Sequence, residues 1–112
     1  MEEYLEKMTG VVVLVLPGDN LDASNAKEFR QNVAPMLTGS NKLIFDMSRL
    51  NFVDSSGLGA LLSCLRQLHA AGGDLKLFGL TKPVRSLFEL VRMHRIFEIY
   101  DTREDAFNSF EH

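Results

Sequence analysis

The chain alternates short apolar runs of strand character with segments whose apolar residues recur at helical spacing. The clearest helical segment has a leucine stripe at i, i+3, i+4, i+7 and i+10, formed by Leu58, Leu61, Leu62, Leu65 and Leu68. Such a stripe is typical of a helix that packs on a sheet. Apolar runs precede and follow it at residues 42–47 and 75–79. This alternation predicts an α/β domain with a mostly parallel or mixed sheet.

The first part of the chain fits the same alternation. Residues 4–7 and 11–16 predict two strands joined by a turn at Thr9-Gly10, and the β-branched residues of the second run indicate a strand buried on both faces. We expect Asp22 or Ser24 to cap the helix that follows. The apolar residues of this helix recur at helical spacing, as Ala26, Phe29 and Val33.

The last part of the chain predicts a further helix, a short strand and a closing helix. Thr81 is expected to cap the first of these helices, with Pro83 in its first turn. Its inward residues are expected to be Val84, Leu87, Phe88 and Val91. Residues 96–100 predict the strand, and residues 103–110 predict the closing helix.

Length and composition predict one domain over residues 1–112. The chain has 112 residues, of which 46% are hydrophobic and 24% charged, so a core is feasible without disulfides. Its lone cysteine, Cys64, cannot form an internal disulfide or a metal site by itself. The acidic start lacks a signal peptide's basic region, and no apolar run approaches the roughly 18 residues of a membrane span. We therefore expect a cytoplasmic protein without a membrane span.

The charge of the chain argues against nucleic acid as a direct partner. The formal net charge is −3, whereas nonspecific nucleic-acid binding depends on lysines and arginines that neutralise phosphates. Basic residues do concentrate late in the chain, at Lys82, Arg85, Arg92 and Arg95. We interpret them as the solvated face of one helix.

Two adjacent serines, Ser55 and Ser56, stand where an apolar run ends and the leucine-striped helix begins. The free N–H groups and positive dipole end of a helix N-terminus would tolerate a phosphate on either serine. Nucleophilic catalysis by Ser55 would require a base within hydrogen-bonding reach. His69 lies farther along the same predicted helix, roughly 20 Å away at 1.5 Å per residue. The arrangement favours a serine that is modified over one that attacks a substrate.

Other chemistries find little support around these serines. Gly57-Leu58-Gly59 is not completed to a nucleotide-binding motif, so no cofactor is expected. The scattered Asp22, Asp46 and Asp54 are typical of caps and loops, and no metal site is predicted from them.

Glycines in the first turn of a helix need an explanation, because each costs about 1 kcal/mol relative to alanine. Aspartate and serine as caps, with glycine relieving a crowded turn, would account for the motif residue by residue. The combination of paired hydroxyls with Gly57 and Gly59 favours a second explanation, a surface kept low for a close partner.

The motif Asp54-Ser55-Ser56-Gly57-Leu58-Gly59, preceded by Phe52-Val53, resembles the phosphorylation site of STAS domains, specifically the bacterial anti-sigma factor antagonists. The resemblance extends through Leu21-Asp22, residues 42–46, Gly72-Gly73 and residues 83–88. It implies a single STAS-like α/β domain, with a mixed sheet of four to five strands and helices mainly on one face.

The resemblance also implies a partner switch in which the chain itself is not an enzyme. The unmodified protein would bind an anti-sigma factor serine kinase and so release the sigma factor. Phosphorylation would break the complex, and a metal-dependent serine phosphatase would restore it. The phosphoacceptor maps onto Ser55, with Ser56 as the second candidate. The residues expected to contact the partner are Asp22, Asp54, Ser56, Gly57, Leu58 and Gly59.

An alternative stays open. The same kind of domain, without phosphorylation, also serves as an adaptor subunit of an ABC transporter or of a larger signalling assembly. The intact Asp54-Ser55-Ser56-Gly57 segment favours the switch.

Overall fold

A computed structural model describes residues 10–16, 18–38 and 41–110 and the backbone of residues 2–6. Its strands are β1 (Glu2–Glu6), β2 (Val11–Val15), β3 (Asn20–Leu21), β4 (Lys42–Asp46), β5 (Phe52–Val53), β6 (Asp74–Phe78) and β7 (Glu98–Tyr100). Its α-helices are α1 (Ala26–Val33), α2 (Ser55–Ala70), α3 (Lys82–Leu90) and α4 (Arg103–Asn108), with short 3₁₀ helices at Ala34–Leu37 and Met93–Arg95.

Five of the strands form one mixed sheet in the order β1-β2-β4-β6-β7. β1 runs antiparallel to β2, whereas β2, β4, β6 and β7 run parallel to one another. Parallel neighbours require crossover connections, and α1, α2 and α3 lie in these connections. Beyond the carboxyl edge of the sheet, β3 and β5 pair in parallel, with Leu21 beside Val53. The mixed sheet expected from the sequence is therefore confirmed.

The sheet has apolar side chains on both faces because its strands alternate between them. The larger core lies under α1, α2 and α3, where the Phe29 and Phe45 rings meet edge to face at 5.9 Å. The opposite face carries α4, whose Ala106 packs with Val11, Val13 and Ile44. β2 is thus buried on both faces, as its β-branched residues predict, and most helices lie on one face, as the family resemblance implies.

A buried lysine joins β6 to β7 beneath α4. The side chain of Lys76 is 6% exposed, donates a hydrogen bond to Glu98, and lies 3.6 Å from an Asp74 carboxylate oxygen. The Phe110 ring centre lies 4.7 Å from its ammonium nitrogen. Burial lowers the pKa of Lys76, but the hydrogen bond and charge of Glu98 outweigh it, so the net shift is upward.

The predicted cap of the first helix is wrong. α1 begins at Ala26 with Asn25 at the N-cap position, and neither Asp22 nor Ser24 caps it. Thr81 does precede α3, but its hydroxyl donates to the Leu50 carbonyl at 2.6 Å and makes no cap hydrogen bond. The Asp22 and Ser24 side chains bond to each other within their own loop, whereas Thr81 binds a backbone carbonyl that the tertiary fold brings within reach.

The inward orientation expected for Val91 is also wrong. α3 ends at Leu90, and Val91 lies in the turn that follows, where its side chain is 42% exposed. Lys7 and Thr9, which the sequence places in the first strand and its turn, lie outside the described residues. In the ranges that the structure describes, no helix is long and apolar enough to cross a membrane.

Candidate functional site

The serine motif forms the N-terminus of α2, at the carboxyl edge of the sheet. Asp54 leaves β5 in an extended conformation, with φ −103° and ψ −172°, and its side chain accepts a hydrogen bond from the Gly57 N–H at 2.9 Å. This capping role agrees with the sequence-based interpretation of Asp54. Ser55 is the first helical residue and is exposed, whereas Ser56 is half-buried. The two candidate serines therefore differ in access.

The Asp54 carboxylate also links α2 to the loop that follows β3. Its second oxygen accepts a hydrogen bond from the Ala23 N–H at 3.1 Å. Asp54 in turn donates its backbone N–H to the Leu21 carbonyl at 3.3 Å. The fold thus brings the loop of Asp22 next to the start of α2, although the two lie far apart in sequence.

Asp22 is held at the surface of this loop by hydrogen bonds. One carboxylate oxygen accepts from the Ser24 hydroxyl and from the Ser24 N–H at 2.9 Å, and the other accepts from the Asn20 side-chain amide at 2.8 Å. The bond from the Ser24 hydroxyl, followed by that from its N–H, lowers the pKa of Asp22. Asp22 therefore presents a preorganised anion beside the α2 N-terminus.

Gly57 serves the packing of the domain itself. A Cβ placed on Gly57 would overlap the Leu21 carbonyl oxygen and would lie 2.8 Å from the carbonyl carbon and 3.0 Å from Val53 Cγ1. The explanation that Gly57 keeps a surface low for a partner is therefore wrong. Leu58 is also buried, as part of the larger core, so its side chain faces away from a partner. Gly59 is exposed, and a Cβ placed on it would meet no atom within 4 Å.

Phe52 is an exposed aromatic residue that sequence reasoning did not select as a site residue. It is 55% exposed and lies in β5, paired with Asn20 and two residues before Asp54. Strand alternation contains the signal for this exposure, because Val53 points into the core and its neighbour must then point outward. The accessible surface around α2 thus comprises Asp22, Phe52, Ser55, Ser56 and Gly59.

The histidines of the described chain lie away from this surface. His69 is near the other end of α2, where its Nε2 atom lies 3.0 Å from an Asp74 carboxylate oxygen. His94 follows α3 in the 3₁₀ helix before β7, at the amino edge of the sheet. Neither is placed to activate Ser55. Among the described residues, no three histidine, cysteine, aspartate or glutamate side chains gather as a metal site.

A sequence profile decides the family of this chain: the profile of the STAS domain matches residues 5–106. The chain belongs to the STAS domain family. An anti-sigma-B factor antagonist of Listeria monocytogenes is 33% identical over 98 residues, which cover 87% of this chain and 85% of that protein. An anti-sigma F factor antagonist of Paenibacillus polymyxa is 27% identical over 109 residues, with coverage of 96% and 92%.

The structure of this chain is similar to a solved structure of the anti-sigma factor antagonist SpoIIAA in its unphosphorylated form. The TM-score is 0.73 at 27% sequence identity, and the alignment covers 98% of this chain and 96% of that one.

The STAS domain also has a groove of about 200 Å³ beside the Asp22 loop. Leu16, Leu21, Phe29 and Leu50 supply its apolar lining. Asn20 and Asn25 belong both to this lining and to the hydrogen-bonded loop of Asp22. The groove could accept an apolar side chain of a molecule that also contacts Asp22.

Proposed function

We propose that this STAS domain is an anti-sigma factor antagonist whose binding to an anti-sigma factor serine kinase is controlled by phosphorylation of Ser55. The names of its relatives support the general role. In this proposal the chain is a substrate and a binding module, and it catalyses no reaction itself.

The observation that carries the proposal is the exposed hydroxyl of Ser55 at the first position of α2. Among the residues described, this hydroxyl has no hydrogen-bond partner, and the neighbouring Asp54 carboxylate is bound by the Gly57 and Ala23 N–H groups. Ser56 is less accessible. A kinase could therefore reach Ser55 without unfolding the helix.

Charge explains how modification would act as a switch. A phosphate adds about −1.5 to −2 charges, and it would stand beside the carboxylates of Asp54 and Asp22. The free N–H groups and dipole of α2 would accommodate it in the unbound protein. A tightly packed partner would instead have to desolvate the phosphate next to these anions. We therefore expect little internal rearrangement and a large loss of affinity.

The unmodified surface offers two kinds of contact to a kinase. Phe52 supplies an exposed aromatic side chain, and the groove beside the Asp22 loop supplies an apolar recess. The Asp22 carboxylate provides a fixed anion for a basic group of the partner. A metal-dependent serine phosphatase would remove the phosphate and restore binding.

Phosphate mapping tests the assignment of Ser55. The wild-type protein, Ser55→Ala and Ser56→Ala would each be incubated with the anti-sigma factor kinase and ATP, and the product mapped by mass spectrometry. We expect one phosphate on wild type and Ser56→Ala and none on Ser55→Ala. A phosphate on Ser56 alone, or outside the motif, overturns the assignment.

Titration of the kinase with each form tests the switch. Unmodified wild type and Ser55→Ala should bind alike, since loss of one exposed hydroxyl changes the packing little. The phosphorylated form should bind at least a hundredfold more weakly, a difference of about 3 kcal/mol. Equal binding of modified and unmodified protein contradicts the switch. A pull-down with the unmodified protein tests the alternative: capture of ABC-transporter subunits in place of the kinase would favour the adaptor function.

A further inference from the structure

A second exposed apolar cluster lies away from the serine motif, after the end of α3. Leu90 is 79% exposed, Ile96 49% and Val91 42%. Arg92 and Arg95, both exposed, lie between them in the chain. We call these five residues the distal patch. The three apolar residues lie within one short stretch of the chain, and grouped exposed apolar side chains mark an interaction surface more often than isolated ones do.

The distal patch and the serine motif lie at opposite edges of the sheet. α2 begins after β5 at the carboxyl edge, where Ser55 lies. α3 leaves the same edge after β6 and runs back to the amino edge, where β7 starts parallel to β6. Leu90 to Ile96 are therefore positioned at the amino edge. A partner on the patch would leave Ser55 accessible.

The backbone at the centre of the patch is of a kind that normally favours glycine. Arg92 has φ 62° and ψ 26°, in the left-handed region, just past the C-terminus of α3. Glycine is the usual residue at this position of a helix end because it lacks the Cβ that crowds the left-handed conformation. Arginine at this position brings a long cationic side chain to the surface at a conformational cost. Such strain at an exposed residue points to a use for the side chain.

The charges of the patch define the kind of partner. Arg85, on α3, is paired with Asp101 at 3.0 Å, but Arg92 and Arg95 have no ion pair with any residue in the described ranges. They also lie beyond α3, so they do not belong to the solvated face of one helix that the sequence suggests. Glu89 is the nearest acidic residue before them in the chain. These two guanidinium groups, without an ion pair in the described part of the chain, lie in the same stretch as exposed leucine, valine and isoleucine side chains and complement an acidic segment with apolar residues.

We propose that the distal patch docks an acidic, amphipathic helix of a protein partner. This docking can occur while the surface around Ser55 binds a different partner. Leu90 and Ile96 would contact the apolar face of the helix, and Arg92 and Arg95 would pair with its carboxylates. A second copy of this chain fits less well, because a two-fold contact through the patch brings arginines against arginines. The inference stands whether or not Ser55 is the phosphoacceptor.

The direct test is a fluorescence-anisotropy titration with a labelled peptide of about 18 residues, long enough to form a helix. The peptide carries leucines at i, i+3, i+4 and i+7, a few glutamates on the same side and alanines at the other positions, and the comparison peptide replaces each glutamate by lysine. We expect saturable binding of the acidic peptide alone, weakened by added salt. Leu90→Ser should weaken binding at least tenfold because it removes an apolar contact with the peptide. It should leave the fold intact, since Leu90 is almost free of internal packing.

Arg92→Gly separates binding from stability. This variant removes the side-chain charge and suits the left-handed backbone, so its melting temperature should rise or stay unchanged while acidic-peptide affinity falls at least fivefold. Arg66→Gln, which removes an exposed arginine of α2, is the matched control and should bind as wild type does. Ser55→Glu should also bind the peptide normally, which distinguishes this surface from the kinase surface.

Several outcomes overturn the proposal. They are the absence of saturable binding, equal binding of both peptides, or affinity unaffected by Leu90→Ser and Arg92→Gly. Binding to phosphatidylglycerol vesicles without binding to the peptide would indicate a membrane occupant. Dimerisation that Leu90→Ser abolishes, again without peptide binding, would indicate a second copy of the chain.

Discussion

The backbone carbonyl of Leu21 occupies the space in which a side chain at Gly57 would begin. This contact seats the first turn of α2 directly on β3. The same two segments are joined by the hydrogen bonds of Asp54, from its N–H to Leu21 and from Ala23 to its carboxylate. The glycine and the aspartate of the motif thus act together to place the Asp22 loop beside Ser55.

Gly57→Ala should destabilise the domain by about 1–3 kcal/mol, the usual cost of overpacking. Alanine is the better helix former, but its methyl group would overlap the Leu21 backbone, which cannot move without disturbing β3 and β5. Urea unfolding of wild type and variant measures the change.

Gly59→Ala is the matched control for this effect, because a methyl group at Gly59 meets nothing within 4 Å. It should leave stability unchanged or raise it by up to about 1 kcal/mol. If Gly57→Ala instead proved as stable as Gly59→Ala, β3 would not pack on α2 as described.

Asp54→Ala should lower stability by about 2 kcal/mol, since it removes a helix cap and a second hydrogen bond to another loop. Asp54→Asn keeps an oxygen for the Gly57 N–H but turns an amide NH₂ toward the Ala23 N–H. Its stability should therefore lie between that of the wild type and that of Asp54→Ala. Chemical denaturation ranks the three proteins, and amide hydrogen exchange at Ala23 reports the second bond separately. Protection of Ala23 that is equal in all three would exclude that bond.

Ionisation of the Asp22 carboxyl group should make the folding stability depend on pH in the acidic range. Its pKa is lowered in the folded protein, chiefly by the Ser24 hydroxyl and N–H, so the unfolded chain binds a proton at higher pH than the folded one. The stabilisation is therefore complete above about pH 4, the ordinary range of aspartate, and is lost as the pH falls through the lowered folded pKa.

NMR titration of the Asp22 carboxyl carbon measures this shift, and urea midpoints at acid and neutral pH measure its effect on folding. Ser24→Ala removes the largest cause, so the pKa should move back toward its ordinary value. Asp22→Asn should show a smaller loss of stability on acidification than wild type does. An unchanged pKa in Ser24→Ala would assign the shift to other neighbours.

Cys64 should be unreactive in the native protein. The thiol is buried beneath α2, and burial raises its pKa to about 12. Almost no thiolate is present at pH 8, so labelling by Ellman's reagent should be slow in buffer and rapid in denaturant. Fast labelling in buffer would indicate that α2 opens readily from the sheet.

Much of this architecture can be predicted from the sequence because it follows local rules. The leucine stripe of α2 and the strand at residues 42–46 need only periodicity and β propensity, and the structure contains both. Asp54 as a cap is also a local prediction, since its partner, the Gly57 N–H, lies three residues away. The inward orientation predicted for Val91 is wrong because helical spacing alone does not indicate where α3 ends.

Other features of the structure depend on partners that are distant in the chain. Thr81 is a good local cap, yet its hydroxyl binds the Leu50 carbonyl. Phe52 is a related case: alternation along β5 turns it outward, but β5 is a strand only because it pairs with β3, which is distant in the chain.

The sequence by itself determined the alternation of strands and helices, the serines at the head of a helix and the resemblance to a family, because each depends on neighbouring residues. Only the tertiary structure decided the role of Gly57, which depends on the Leu21 carbonyl, and the positions of Asp22 and Ser55 on one surface. The physical reason is the distance along the chain over which each interaction acts. Helix periodicity and capping act over a few residues, whereas steric exclusion between α2 and β3 exists only after the parallel strands have brought distant segments together.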